Sequence, residues 1–253
     1  MEVMNISRVT KTFSSGRQVL DDVSFSLEKG HCLGIIGESG CGKSTLARCI
    51  LQLEKIDSGE ISLNGQMLQN LSAKKLKPFR KHIQAVFQNP SASLNPKLKI
   101  RDSLMDPYLQ FGNQKDLRHF NYESNEQYVK QLLHAVELPA SLADRYPHEL
   151  SGGQQQRAAI CRAISIEPDV VLLDEPTSSL DVLSQASLLK LLEKLRRQFS
   201  LSYVFISHDL AAVASLSQHL LVMKEGRIID AFPTEELFLL KRHSYTKELV
   251  SMY

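Results

Sequence analysis

A glycine-rich segment constrains the fold of this chain more than any other feature. It reads Gly37-Glu38-Ser39-Gly40-Cys41-Gly42-Lys43-Ser44-Thr45. The mostly apolar residues 31–36 precede it and predict a buried strand, and residues 44–53 follow with helical apolar spacing. A glycine-rich loop between a strand and a helix can turn backbone N–H groups toward phosphate oxygens, and the helix start favours an anion. The segment therefore predicts a site for a nucleoside triphosphate.

The side chains of this phosphate loop (residues 37–45) have separate predicted roles. Lys43 is expected to neutralise charge on the β- and γ-phosphates, and the Ser44 hydroxyl to bind Mg²⁺. The other expected nucleotide contacts are Gly37, Ser39, Gly40, Cys41, Gly42 and Thr45. Because Cys41 lies inside the loop, alkylation of its thiol is expected to block nucleotide binding by bulk alone.

Two adjacent carboxylates, Asp174 and Glu175, follow the apolar residues 170–173. A buried strand ending at Asp174 delivers that carboxylate to the edge of a sheet, where it is expected to hold Mg²⁺ through a water. Side chains alternate along an extended segment, so Glu175 is expected to point elsewhere. The alternative is that the acidic pair only caps the next turn.

Strands and helices alternate along the chain, which predicts an α/β fold with a parallel sheet. The Asn64-Gly65 and Glu225-Gly226 pairs predict hairpin turns. The segment from about 90 to 150 reads as a mostly helical insertion, punctuated at its start by Pro90, Pro96, Pro107 and Gly112. The other predicted elements are strands 19–27, 83–87, 170–173 and 203–206, and helices 127–136, 154–164 and 184–199.

Composition excludes several classes of function. A net charge of +2 on 253 residues gives no argument for nucleic acid, and the basic run at residues 74–81 is interpreted as a solvated face. No apolar run approaches the roughly 18 residues of a membrane span, and residues 1–5 show no signal-peptide pattern. The four cysteines lack metal-site spacing, which favours reduced thiols in a cytosolic protein.

A second glycine motif narrows the class of nucleotide-binding protein that the chain resembles. Leu150-Ser151-Gly152-Gly153-Gln154 precedes the acidic pair, and Pro176-Thr177-Ser178-Ser179-Leu180-Asp181 follows it. Together with the phosphate loop, these motifs resemble the nucleotide-binding subunit of an ATP-binding-cassette (ABC) transporter. The resemblance implies a P-loop NTPase (RecA-like) core with an antiparallel β subdomain and an inserted α-helical subdomain. It also implies one ABC ATPase domain over residues 1–253, with a catalytic core of 1–89 and 155–253 and a helical subdomain of about 90–154.

The same resemblance assigns the remaining residues of an ATPase site. Glu175 is implied as the general base or orienter of the attacking water, and His208 as the switch histidine at the γ-phosphate. Gln88 matches the Q-loop glutamine that touches Mg²⁺ or the water. Phe13 resembles the aromatic residue that stacks on adenine, with a plain core residue as the alternative. Asp181 belongs to the D-loop, the segment that follows the acidic pair in this family.

The glycine motif also implies a partner subunit. In the family, two cassettes pair head to tail, and each signature (here Ser151, Gly152, Gly153 and Gln154) closes over the γ-phosphate of the other subunit. Both half-sites are present in this sequence, so a homodimer is chemically permitted and a heterodimer with a similar chain is the other arrangement.

Three segments resemble the importer ATPases of the peptide and nickel uptake group: residues 87–96, 146–154 and 243–249, the last with Ser244 in place of proline. This implies a peripheral ATPase on the cytoplasmic face of a membrane, with a second ATPase chain as a favoured heterodimer. Two permeases and, indirectly, an extracellular solute-binding protein complete the system. The cargo stays open between peptides and chelated nickel. The rival interpretations are another ABC importer or exporter, a soluble ABC ATPase acting on ribosomes or DNA, and a degenerate cassette.

Overall fold

The computed structural model describes residues 1–89, 93–111, 117–178 and 180–251. The chain divides into two compact units, here called the first unit (Met1–Leu76 and Ser202–Tyr253) and the second unit (Lys77–Leu201). The first unit is therefore discontinuous in sequence, and the second is inserted into it. The expected helical subdomain of about 90–154 falls within the second unit, and its boundaries stay a prediction.

The secondary structure of the described residues alternates as the sequence indicates. The strands are β1 Glu2–Thr12, β2 Gln18–Glu28, β3 Cys32–Ile36, β4 Ser58–Leu63, β5 Gln66–Met67, β6 Ile83–Val86, β7 Val170–Asp174, β8 Ser202–Ile206, β9 His219–Lys224 and β10 Arg227–Pro233. The α-helices are Lys43–Ile50, Ala73–Leu76, Ile100–Phe111, Asn125–Ala135, Gly152–Ile164, Val182–Phe199, Leu210–Leu216 and Ser244–Ser251. None of these helices is long and apolar enough to cross a bilayer.

The first unit contains an antiparallel sheet with the strand order β2-β1-β4-β5. β1 pairs with β2, with Val9 opposite Val23, and with β4, with Ile6 opposite Ile61. The sequence does not predict strand β1. Arg8 takes a φ of 47°, and the register of the β1–β2 pair shifts between Ile6 and Val9, so apolar residues do not alternate regularly along this strand. The hairpin turn between β4 and β5 is confirmed, with positive φ at both Asn64 and Gly65.

A second set of strands in the first unit carries the phosphate loop. β3 lies between β8 and β9 and runs parallel to both, while β9 and β10 form an antiparallel hairpin. Every residue of β3 is buried, as expected for a central parallel strand covered on both faces. The strand ends at Ile36, so the loop begins at the carboxyl edge of the sheet.

The helix after the phosphate loop is shorter than predicted. It runs over Lys43–Ile50, and the expectation that it continues to residue 53 is wrong. Gln52 takes a φ of 56°, and the Leu53 N–H donates to the carbonyl oxygen of Arg48. This left-handed turn ends the helix and leaves Leu53 exposed.

The second unit combines a parallel pair of strands with helices. β6 and β7 pair in parallel, with Val86 opposite Leu173. The described residues of 93–150 contain helices and no strand, which agrees with the predicted helical insertion. Pro107 lies inside the helix Ile100–Phe111 and does not mark a break before that helix. Pro90 and Gly112, two of the predicted breaks, lie outside the described residues.

Aromatic rings form the core of the helical part of the second unit. Tyr108 stacks on Tyr122 with ring centroids 4.7 Å apart, and Tyr128 lies 5.0 Å from Tyr108. Phe120 stacks on Phe199 at 4.9 Å. Such pairs stabilise a core beyond the burial of their area.

A single carboxylate attaches a loop to this aromatic core. Glu167 accepts hydrogen bonds from the backbone N–H groups of Arg118, His119 and Phe120, at 2.7, 2.8 and 2.9 Å. These three hydrogen bonds hold a loop that has no regular secondary structure of its own. Because this loop carries Phe120, the contact also sets the position of that ring in the core.

Candidate nucleotide-binding and catalytic site

The backbone of the phosphate loop requires glycine at two positions. Gly37 has a φ of 154°, and a Cβ there would clash with the carbonyl oxygen of Met223. Gly42 has a φ of 113°, and a Cβ would lie 2.7 Å from the carbonyl oxygen of Val19. The loop is therefore packed against β2 and β9 at both ends, and only glycine allows this approach.

The start of the helix Lys43–Ile50 is open to an anion. Gly42 caps this helix and offers no side-chain hydrogen bond, so the first N–H groups have no acceptor within the helix. Gly40 and Ser44 are exposed, and a Cβ at Gly40 would meet no atom within 4 Å. These features fit the predicted phosphate site, because unpaired N–H groups and the helix dipole both favour negative charge.

Lys43 lies across the loop that precedes it. Its Nζ donates to the carbonyl oxygens of Gly37 at 2.5 Å and Glu38 at 2.8 Å, and lies 3.7 Å from the Cys41 Sγ. The residue is only 7% exposed. The ammonium is thus largely removed from water and held by neutral acceptors, which a phosphate oxygen can replace.

Two more predicted site residues lie in the first unit. His208 is exposed and follows β8, and the next residue, Asp209, caps the helix Leu210–Leu216 by accepting from the Ala212 N–H at 3.0 Å. Phe13 is 38% exposed, and the Nζ of Lys11 lies 5.4 Å from its ring centroid. Phe13 therefore presents an aromatic face at the surface rather than in the core.

The acidic pair lies in the second unit at the end of β7. Asp174 is the last residue of the strand, as predicted. The expectation that Glu175 continues an extended segment is wrong, because its φ is 53°. Its carbonyl oxygen accepts hydrogen bonds from the N–H and the hydroxyl of Ser178. A non-glycine residue in this conformation costs about 1–3 kcal/mol.

Gln88 also lies in the second unit, two residues after β6, and is exposed. Its position at the end of a strand agrees with the prediction. The rest of the predicted Q-loop segment includes Pro90, Ser91 and Ala92, which lie outside the described residues.

The signature motif forms a second open helix start in the second unit. Ser151 caps the helix Gly152–Ile164: its Oγ accepts from the Gln154 N–H at 3.4 Å, and its own N–H donates to the Gln154 Oε1 at 3.0 Å. A Cβ at Gly152 or Gly153 would meet no atom within 4 Å. The cap therefore orders this turn, while the two glycines leave space for a ligand to approach its backbone.

Asp181 has a structural role that the family resemblance did not include. Its Oδ1 accepts from the Ser184 N–H at 3.0 Å and its Oδ2 from the Ser184 hydroxyl at 2.6 Å, which caps the helix Val182–Phe199. Both hydrogen bonds lower the pKa of Asp181 below its usual value, and the bond from the Ser184 hydroxyl has the larger effect. The signal was available in the sequence, because aspartate is a preferred residue just before a helix.

Two contacts of the phosphate loop were missed by sequence reasoning. The Gly226 N–H donates to the Cys41 carbonyl oxygen at 2.9 Å, and the Glu38 N–H donates to the Tyr245 hydroxyl at 3.3 Å. In the sequence, Tyr245 stands out only as a member of the segment 243–249. No spacing rule connects residues 207 positions apart.

The described site residues thus fall in two groups. The first unit contains the phosphate loop, His208 and Phe13, and the second contains Gln88, the acidic pair, the signature and Asp181.

Comparison with known proteins agrees with this set of motifs. The family profile described as "ABC transporter" matches residues 20–178. The oligopeptide transport ATP-binding protein AppF of Bacillus subtilis is 46% identical over 92% of this chain and 70% of its own length. The di/tripeptide transport ATP-binding protein DppF of Pseudomonas aeruginosa is 43% identical over 92% of this chain and 71% of its own length.

The fold is also that of solved cassettes. A dimeric post-hydrolysis state of the ATP-binding cassette MJ0796, bound to ADP and Pi, superposes with a TM-score of 0.80 at 28% identity. The alignment covers 91% of this chain and 98% of that one. This likeness confirms the expected α/β cassette fold. Since the family profile also matches well over half of the residues, this chain belongs to the ABC transporter family, as one of its ATP-binding, ATP-hydrolysing cassettes.

Proposed function

We propose that this cassette powers the import of peptides through transmembrane permeases. The observation that carries the proposal is the 46% identity to an oligopeptide transport ATP-binding protein over 92% of the chain. The relative DppF is named for di- and tripeptides. This favours peptides as the cargo over chelated nickel, the other cargo that the sequence allows.

The phosphate loop is the proposed site for the ATP phosphates. The N–H groups at the start of the helix Lys43–Ile50 would bind phosphate oxygens, with Gly37, Ser39, Gly40, Cys41, Gly42 and Thr45 shaping the loop. The Lys43 ammonium would move from its two carbonyl acceptors to the β- and γ-phosphates. Phe13, exposed beside Lys11, would stack on the adenine.

The residues present fit a magnesium ion. Ser44, Gln88 and Asp174 supply a hydroxyl, an amide and a carboxylate oxygen, the hard donors that Mg²⁺ prefers. When bound, Mg²⁺ offsets the negative charge of the β- and γ-phosphate oxygens. Holding the ion is the only role proposed for Asp174.

Hydrolysis requires a group that orients water and accepts a proton. Glu175 is proposed for this role, because its carboxylate follows β7 and Asp174 directly. His208 is proposed to hydrogen-bond a γ-phosphate oxygen, and Gln88 to orient the water. Removing the γ-phosphate would then weaken the hold on the nucleotide.

The second open helix start implies a second cassette. One phosphate loop serves one ATP, so the open backbone at Gly152 and Gly153 is proposed to close over the ATP of a partner subunit. Val182 and Leu183, after Asp181, are 82% and 83% exposed, which supports a contact surface at this point. We favour a heterodimer with a second ABC ATPase, and a homodimer is the alternative.

The remaining partners follow from the transport role. Two permeases would contact the helical segment from about 90 to 154, which places the chain peripherally on the cytoplasmic face of a membrane. An extracellular solute-binding protein would deliver the peptide to the permeases. Nucleic acid is not among the proposed partners, in keeping with a net charge of only +2.

The test is to identify what co-purifies with tagged Glu175→Gln protein from gently solubilised membranes in the presence of ATP. Two permeases and a second ATPase, together with peptide uptake that depends on this chain, are expected. The matched control is Lys43→Ala/Glu175→Gln, which should not be trapped with ATP. Recovery with ribosomes, or uptake of nickel but not of peptides, would contradict the proposal.

A further inference from the structure

The C-terminal helix of the first unit reaches the phosphate loop. Tyr245, near the start of the helix Ser244–Ser251, is 3% exposed, and its hydroxyl accepts a hydrogen bond from the Glu38 N–H at 3.3 Å. Glu38 is the second residue of the phosphate loop and is itself exposed. A buried hydroxyl from the far end of the chain therefore touches the backbone of the loop proposed to bind ATP.

Glu38 is held on both sides of its backbone. Its N–H donates to Tyr245, and its carbonyl oxygen accepts from the Lys43 Nζ at 2.8 Å. These two bonds restrict the rotation of the peptide groups that flank Glu38. Since Ser39 and Gly40 follow directly, the same restriction orients the exposed turn of the loop.

Tyr245 is fixed by its own surroundings. The Nζ of Lys224 lies 4.5 Å from its ring centroid, a cation–π contact, and its N–H donates to the His243 Nδ1 at 3.1 Å. Burial, together with the nearby carboxylate of Glu38, raises the pKa of Tyr245 to about 12. The phenol therefore stays protonated and neutral at physiological pH.

The start of the helix is anchored independently of the loop. Asp230 accepts hydrogen bonds from the His243 N–H at 2.9 Å and from the hydroxyl of Thr246, which is fully buried, at 2.8 Å. The guanidinium of Arg242 lies over the ring of Phe232 at 4.4 Å. Tyr245 thus projects from a segment that several contacts hold in place.

We propose that Tyr245 is a positioning residue of the phosphate loop: by holding the Glu38 N–H, it keeps the loop in the conformation that binds the ATP phosphates. The C-terminal helix then helps to set the affinity of the cassette for ATP. The inference rests on the proposed function, in that residues 37–45 bind ATP.

The test uses Tyr245→Phe in the full-length chain, since phenylalanine keeps the ring beneath Lys224 and removes only the hydroxyl. The dissociation constant for ATP is expected to rise about two- to tenfold, the range of one neutral hydrogen bond. In ATPase assays, KM should rise while kcat changes less than twofold. Amide hydrogen exchange at Glu38 should become faster.

Thr246→Val is the matched control, because it removes a hydrogen bond from the same anchor without touching the loop. It is expected to lower the melting temperature and to leave both the ATP affinity and the exchange at Glu38 unchanged. Wild-type affinity and exchange in Tyr245→Phe would overturn the proposal, and so would an equal loss of affinity in Thr246→Val. The exchange measurement needs no ATP, so it tests the contact even if residues 37–45 fail to bind ATP, which would overturn the proposed function instead.

Discussion

The Nζ of Lys43 donates to the carbonyl oxygen of Glu38 at 2.8 Å, so the lysine is bound to its own loop. Burial withdraws the ammonium from most of its water. A phosphate oxygen that replaces the carbonyl therefore gains a charged partner whose desolvation is largely complete.

Lys43→Met tests this arrangement, because methionine keeps the length of the side chain and removes its charge. The dissociation constant for ATP should rise roughly 10- to 150-fold, the value of a hydrogen bond to a charged group. Isothermal titration calorimetry measures it, with Lys29→Met, at an exposed position, as the control. Unchanged affinity in Lys43→Met would contradict the assignment.

Glu175→Gln separates binding from hydrolysis. The amide cannot accept the proton of the attacking water, so turnover should fall at least about 100-fold while ATP affinity stays near that of the wild type. Phosphate release and equilibrium binding are measured on the same preparation. Glu60→Gln, at an exposed position on β4, should behave as the wild type. Normal turnover in Glu175→Gln would assign the general base elsewhere.

Cys41 is expected to be the thiol that reacts first in the native protein. Cys41 is 8% exposed, against 1% or less for Cys32, Cys49 and Cys161. Burial also raises the pKa of Cys49 to about 11 and that of Cys161 further, which suppresses their thiolates. Iodoacetamide should therefore modify Cys41 and abolish ATP binding, because the thiol lies 3.7 Å from the Lys43 Nζ. Mass spectrometry locates the adduct. Cys41→Ala should bind ATP and resist the reagent, and an equally sensitive Cys41→Ala variant would contradict this account.

The cap at Asp181 predicts a pH dependence of stability. Its folded-state pKa is lowered, so its charged form stabilises the fold above the usual value of 3.8, and this contribution is lost as pH falls through the folded value. Asp181→Asn keeps an acceptor for the Ser184 N–H but has no charge. The melting temperature of the variant should be lower than that of the wild type at pH 6, and the two should converge in acid. A difference that is constant with pH would show that the charge does not matter.

Glu167 is expected to matter for stability rather than for catalysis. Glu167→Ala removes the acceptor of three backbone N–H groups and should lower the free energy of unfolding by about 2–4 kcal/mol in urea titrations. Glu167→Gln retains one acceptor oxygen and should lose about half as much. Equal losses in the two variants would mean that hydrogen bonding to the loop is not the source of the effect.

Local chemistry explains which parts of the fold the sequence could predict. The hairpin at Asn64-Gly65 follows from two residues that accept positive φ, and β3 from a short buried run before a glycine. Strand β1 is not predicted by the sequence, because the left-handed residue Arg8 interrupts the alternation of apolar and polar residues along it. In each of these cases, residues within or next to the element decide whether the sequence predicts it.

The site, in contrast, depends on both local and distant interactions. The phosphate loop and the carboxylate at the end of β7 are continuous motifs, and both lie where the sequence placed them. The left-handed backbone of Glu175 could not be predicted, because an acidic residue after a strand usually remains extended. The contact of Tyr245 with Glu38 depends on tertiary packing alone.

The pairing of β3 with β8 and β9 has a consequence for how the protein is made. β3 leaves the ribosome early, but its parallel neighbours begin at Ser202 and His219. At roughly 5–20 residues per second of translation, the nascent β3 waits for many seconds with its backbone N–H and C=O groups unpaired and its apolar side chains uncovered. The inserted second unit is complete in the nascent chain before the first unit can close. The conformation of the phosphate loop, which follows β3 directly, therefore depends on strands that are synthesised only after residue 201.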